Sequence, residues 1–210
     1  MTARTACAAV VQYSAMHYIV GLGNPGTEYE STRHNAGRLV LSRFFEMHHF
    51  PELVASAKYA AQVTEGVVGD ERVTVLYPET FMNKSGSSVA KAVTSTKKAE
   101  RLIVVYDDID LPLGSMKIAH GRGSGGHRGV ESIIKALKTK EFTRLRIGVA
   151  QTTPGGKLRK PKGEDAVVEF LLGEFKKPER VVLDALAERI ADALTAIITE
   201  GRAAAMNRYN

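Results

Sequence analysis

Three scarcities narrow what this chain can be. It has a single cysteine, Cys7, among 210 residues, which excludes an intramolecular disulfide and a cysteine-built zinc site and fits a reducing compartment, the cytosol by default. No apolar run approaches the roughly 20 residues that span a bilayer, and the run from Ala6 to Val11 is short even for a secretion signal, so no membrane partner is expected. Repeats and low-complexity tracts are also missing, and 44% hydrophobic with 25% charged residues is an ordinary folding composition. At this length one domain is favoured over two. Residues 1–15, rich in Ala and Thr with Arg4 and no acid, are expected to be a disordered extension or the product of an upstream start, with a transit peptide as the competing reading. The domain proper is expected at 16–210.

Acidic residues are scarce in one stretch. Residues 1–115 carry 11 Lys and Arg against 12 Asp and Glu, whereas 116–162 carry 12 Lys and Arg against Glu131 and Glu141 alone. Such a block is either a solvated face or a surface for a polyanion, because clustered cations gain affinity by releasing counterions from phosphates.

Short β-rich runs fall at 17–22, 59–64, 73–77, 102–106, 116–119 and 145–150. Helical spacing occupies 35–48, 86–94, 130–137, 165–172 and 178–200, the last with Val182, Leu186, Ile190, Leu194 and Ile197 on one stripe. Interleaved strands and helices predict an α/β layered domain. The runs at 59–64 and 73–77, joined around 66–70, predict an antiparallel pair and hence a mixed sheet. The segment 152–163, with Pro154, Pro161, three Gly and four basic residues, is expected to be a mobile basic loop without regular structure.

Several motifs carry chemistry. Gly21-Leu22-Gly23-Asn24-Pro25-Gly26 matches G-x-G-x-x-G after a strand, but Pro25-Gly26 makes a turn where a dinucleotide site needs a helix, so a nicotinamide site is disfavoured. Asn24 remains as a polar side chain at a strand's carboxyl end, where open α/β sheets bind ligands. His34, in Thr32-Arg33-His34-Asn35, stands at a helix start, whose positive end is expected to keep the imidazole neutral and basic. The run 102–110 ends in Asp107, Asp108 and Asp110; a hard-metal site is the rival reading, but the flanks are basic, and one Asp orienting His34 needs fewer assumptions. Asn83 also follows a strand, ahead of a helix it could cap. The glycine loop at 121–129 lacks the Lys of a P-loop and suits close approach by a phosphate or ribose.

Taken in order, GLGNPG, TRHNAG, FMNKSG, YDDIDLPLG, GRGSGGHRG, RLRIGV and FLLGEF resemble the bacterial-type peptidyl-tRNA hydrolase family, from about Tyr18 to Asn210. The resemblance implies one α/β domain, a twisted mixed sheet with helices on both faces. It further implies a monomer without metal or cofactor that hydrolyses the ester between a peptide and tRNA. It implies His34 as catalytic base, Asp107 as its orienting partner and Asn83 as a catalytic positioner of water and carbonyl. Asn24 would bind the peptide backbone and Met82 would line the channel. Tyr29, His127 and Arg128 fall in the substrate groove, and Lys117 and Arg146 match residues that hold a tRNA phosphate.

Two positions depart from the family's pattern. Many relatives have Asn where this chain has Arg128, and a second basic position after Lys117 is here Ala119; the basic run at 157–162 is expected to compensate. Two other classes compete with the hydrolase. A catalytically silent RNA-binding relative would keep the basic face without needing His34 and Asp107 together, and a nicotinamide-dependent reductase would respond to its cofactor.

Overall fold

The computed structural model describes residues 16–210; the extension expected at 1–15 lies outside the described residues. The core forms around strands buried on both faces. In β1 (Met16–Gly21), Ile19 faces one side while Tyr18 and Val20 face the other, and in β5 (Leu102–Pro112) Ile103 and Val105 oppose Leu102, Val104 and Tyr106. Continuous apolar runs of this kind need helices on both sides.

One side is covered by α1 (Ala36–Leu39), α2 (Leu41–Met47), α7 (Lys177–Thr199) and α8 (Arg202–Tyr209). The other is covered by α3 (Ser85–Ala92), α4 (Thr96–Ala99) and α5 (Arg128–Leu137). With β2 (Val54–Ser56), β3 (Ala61–Val68), β4 (Glu71–Pro78), β6 (Met116–His120) and β7 (Thr143–Thr152), the sheet runs β2-β3-β4-β1-β5-β7-β6. Strands β4, β1, β5 and β7 are mutually parallel and the outer pairings are antiparallel, which is the mixed sheet expected. The chain crosses from β1 to β4 on one flank and from β4 to β5 on the other. The connections therefore diverge beyond the carboxyl end of β1, which leaves a crevice there.

Several local expectations are corrected. The helix expected at 35–48 is broken at Val40 into α1 and α2. The first piece is pinned at Gly37, where a Cβ would lie 2.2 Å from the Val105 carbonyl oxygen, while α2 turns to pack on α7, and one straight helix would not serve both. Strand β3 runs through Gly66, whose missing side chain makes room for the Phe50 ring, and the turn sits at Gly69 with φ 59°. The segment 152–163 is not wholly irregular: β8 (Leu158–Arg159) pairs with the end of β7. A turn closed by Gly156 N–H on the Thr153 carbonyl at 2.9 Å folds it back. In α7 the buried stripe begins at Leu183, leaving Val182 41% exposed at the edge. The pattern search missed β2, α4 and α8, each too short or too polar to show a period.

Candidate active site

Strands β1, β4 and β5 end at the same edge, and the segments leaving them are tied together by side chains. Asn35 accepts from the Asn24 backbone N–H at 2.8 Å and donates to the Asn24 carbonyl at 3.0 Å. Asn24 in turn accepts, through Oδ1, the backbone N–H of Met82 at 2.8 Å. Three motifs separated in sequence thus become one buried network, with Asn24 8% exposed and Asn35 2% exposed. Satisfied buried networks are rigid because every alternative leaves a polar group unpaired. The Asn24 amide nitrogen makes no bond among the described residues, and Asn24 lines a cavity.

His34 lies in the 3-10 turn Arg33–Asn35, one turn ahead of α1, and Asp107 lies within β5, its carboxylate buried. Nδ1 of His34 is 3.0 Å from Oδ1 and 3.1 Å from Oδ2 of Asp107. A carboxylate only accepts, so Nδ1 carries the proton and Nε2, which makes no bond among the described residues, keeps its lone pair for the cavity that His34 lines.

A second imidazole shares the same carboxylate. His127 Nδ1 accepts the Val130 N–H at 3.3 Å, capping α5, so its Nε2 carries the proton and donates to Asp107 Oδ1 at 3.1 Å. The two rings are 5.1 Å apart, and the Tyr106 ring braces His127 edge-on at 4.7 Å. His34, Asp107 and His127 are close enough together to suggest a metal site. With the His127 lone pair spent on Val130, however, that ring has no lone pair free to hold an ion beside Asp107, and the set fits hydrogen bonding better than metal ligation.

The electrostatics of His34 differ from the sequence expectation. Burial pulls its pKa down and Arg128 adds to that, but the Asp107 charge and hydrogen bond outweigh both, and the pKa is raised. Asp107 dominates because it touches the ring, whereas the short helix ahead is a weak dipole. Asp107 is itself held far below the ordinary carboxylate range: burial opposes ionisation, and the two imidazoles overcome it.

The cavity above these groups has a volume of about 720 Å³. Its polar wall is Asn24, His34, Asn83, His127 and Arg128, and its apolar wall is Phe81 and Met82 with Val167, Val168, Leu171 and Leu172 of α6 (Glu164–Leu172). Asn83 is exposed and unbonded at the rim, and Arg128 forms an ion pair with Glu164 across the mouth. Tyr29 is half-buried in the turn Thr27–Tyr29 and lines neither this cavity nor the next one.

Lys117 and Arg146 lie apart from the first cavity. They are register partners on β6 and β7, on the wall of a second cavity of about 450 Å³. Lys117 is exposed, but Arg146 is engaged with Asp108 at 2.5 Å.

The sequence matches the family described as peptidyl-tRNA hydrolase over residues 18–210. The chain belongs to the peptidyl-tRNA hydrolase family. It is 40% identical over 196 residues to the peptidyl-tRNA hydrolase of Carboxydothermus hydrogenoformans, covering 93% of this chain and 98% of that one. It is 39% identical over 197 residues to that of Chloroflexus aggregans, covering 93% and 99%. The crystal structure of peptidyl-tRNA hydrolase from Acinetobacter baumannii superposes with a TM-score of 0.81 at 29% identity, covering 93% of this chain and 94% of that chain. The matched span begins within β1, as the motif order predicts.

Sequence reasoning missed three parts of this candidate site. His127 was assigned to the substrate groove, whereas it also fixes Asp107. Asn35 and Gly37 sit in the motif that supplied His34, yet their work, tying down Asn24 and letting α1 approach β5, depends on contacts across the fold. The apolar wall from α6 was legible only as a short helix with little polar patterning.

Proposed function

We propose that this chain hydrolyses the ester linking a peptide to the 3′ end of tRNA, with His34 as general base. The observation that carries the assignment is the buried Asp107 held on Nδ1 of His34, which turns a free Nε2 towards the cavity. Nε2 takes a proton from water as the water oxygen adds to the ester carbonyl carbon. The resulting imidazolium is stabilised by Asp107 and returns the proton to the ribose oxygen as the carbon–oxygen bond breaks. Asn83 at the rim is suited to hold the water or the carbonyl oxygen, and a well-placed donor of that kind is worth about 10²–10³ in rate. The free amide nitrogen of Asn24 binds a peptide carbonyl, a contact indifferent to side-chain identity. The apolar wall formed by Phe81, Val168 and Leu172 receives the peptide.

Lys117 and Arg146 bind a phosphate of the tRNA body, and the 157–162 run assists through Lys160, which reaches Asp110 at 2.5 Å on the same face. We further propose that the enzyme works as a cytoplasmic monomer, without metal or cofactor. Among the described residues, no helix is long and apolar enough to cross a membrane. The test is turnover of N-acetylaminoacyl-tRNA with a chelator present and no cofactor added. Undiminished release of the blocked amino acid is expected. A loss restored by a divalent ion acting on the protein would make His34, Asp107 and His127 metal ligands after all.

A further inference from the structure

The second cavity contains a cation that the hydrolase reading leaves without a task. Arg144, on β7 directly opposite Ala119 of β6, is only 2% exposed. One of its nitrogens, Nη1, donates to the Gly123 carbonyl at 2.6 Å, but Nε and Nη2 have no hydrogen-bond partner among the described residues. No carboxylate pairs with it among the described residues. The Tyr106 phenol is near enough for the Arg144 charge and hydrogen bonding with that guanidinium to oppose the pKa rise caused by burial, while Nε and Nη2 stay without a partner among the described residues.

A guanidinium cannot shed its charge, so burying one with two idle nitrogens is costly unless an anion arrives. Clasping the glycine loop through Gly123 uses one of five N–H groups and does not need a charge. The cavity holds Lys117, Arg122 and Arg146 as well, against Asp108 and Asp110, whose carboxylates are engaged by Arg146 and Lys160. Ala119 lines it too, and its methyl leaves open the space above Arg144 that a long side chain would fill.

We infer that Arg144 is a further phosphate-binding residue, forming the floor of a site whose rim is Lys117 and Arg146. Its ligand is a phosphate group of the tRNA backbone, held by the fork of Nε and Nη2. Bidentate donors in a fixed plane match phosphate oxygens, and ordering them beforehand lowers the cost of binding. The inference rests on the reading that this face meets tRNA.

The test is the salt dependence of peptidyl-tRNA hydrolysis in Arg144→Met, beside Lys117→Ala and the wild type. Arg144→Met is expected to raise KM about tenfold, the scale of a charge-assisted hydrogen bond, with the loss confined to KM. The logarithmic salt slope should fall by about one unit. If Lys117→Ala flattens the slope and Arg144→Met does not, Arg144 is a loop clasp only and the inference fails while the tRNA face stands. If neither changes it, both fail. Should Arg144→Met not fold, the Arg144 Nε–Hε resonance of the wild-type chain is followed by NMR. A shift on adding a tRNA acceptor-stem duplex, with a weaker one for inorganic phosphate, supports the inference. A resonance unmoved by the duplex overturns it, and equal shifts with both overturn the assignment to nucleic acid.

Discussion

The two cavities treat charge in opposite ways. Around Asp107 the charge is fully answered: one carboxylate serves two imidazoles, and Asn24 and Asn35 are locked to backbone groups, with His34 Nε2 and the Asn24 amide nitrogen left open among the described residues. Around Lys117 the cations outnumber the carboxylates, and Arg144 has two nitrogens without partners. The first arrangement has its charge balanced and its geometry fixed before substrate arrives, as chemistry requires when a proton must move to one atom of fixed position. The second is incomplete without an anion, as binding requires when attraction must act from a distance and fade with salt. Binding and chemistry should therefore separate on mutation.

The largest effect expected is at His34. His34→Ala should lower kcat by about 10²–10⁴ while tRNA affinity, measured by filter binding, stays near wild type. Asp107→Asn should also lower kcat, by at least about 10², because an amide neither stabilises imidazolium nor enforces the Nδ1 proton. The double variant should be no slower than His34→Ala, since the two act as one unit. A double variant slower by the product of the two losses would give Asp107 a task independent of His34 and break the comparison.

The pH profile sharpens it. As the proposed general base, His34 would have to be unprotonated, and its pKa is raised, so kcat/KM should climb with pH around a midpoint above about 6.5. In Asp107→Asn, burial and Arg128 remain while the carboxylate is gone, so the midpoint should fall below that value. Stability follows the same pair. The raised His34 contributes below its unfolded pKa and loses this as pH rises through its folded pKa. The depressed Asp107 contributes above its unfolded pKa and loses this as pH falls through its folded pKa. The Tm difference between wild type and Asp107→Asn should thus be greatest between about pH 4 and 6.5.

Smaller effects are expected in the second cavity. Lys117→Ala should raise KM for tRNA substrates and reduce the salt slope by about one unit, with kcat nearly unchanged. Arg146→Ala should do less, because Arg146 already answers Asp108 at 2.5 Å. Asp108→Asn should lower KM by releasing it. Salt titrations of KM in the three variants check the order, and slopes unchanged from wild type in all three would remove this face from tRNA binding.

Much of this was legible in the chain before folding. Periodicity located the main strands and helices, because a buried strand and an amphipathic helix each need a local pattern. The order of short motifs pointed to the family, and the +10 stretch at 116–162 pointed to a polyanion. His34 stood out as the one imidazole of its motif, whereas Asp107 was chosen from three aspartates only through the resemblance to the family. Which groups actually touch was not legible. That His127 shares Asp107, that Asp108 occupies Arg146 and that Asn35 holds Asn24 all involve partners 11 or more residues apart, and that Arg144 is buried without a counter-ion among the described residues is likewise a property of the packed fold. The sign of the His34 shift was decided the same way: a local helix end argued for a lowered pKa, and a carboxylate 73 positions away at 3.0 Å raised it. Composition and pattern are sums over neighbours in the chain. A pKa or a hydrogen bond depends on distance in space, which only the packed sheet sets.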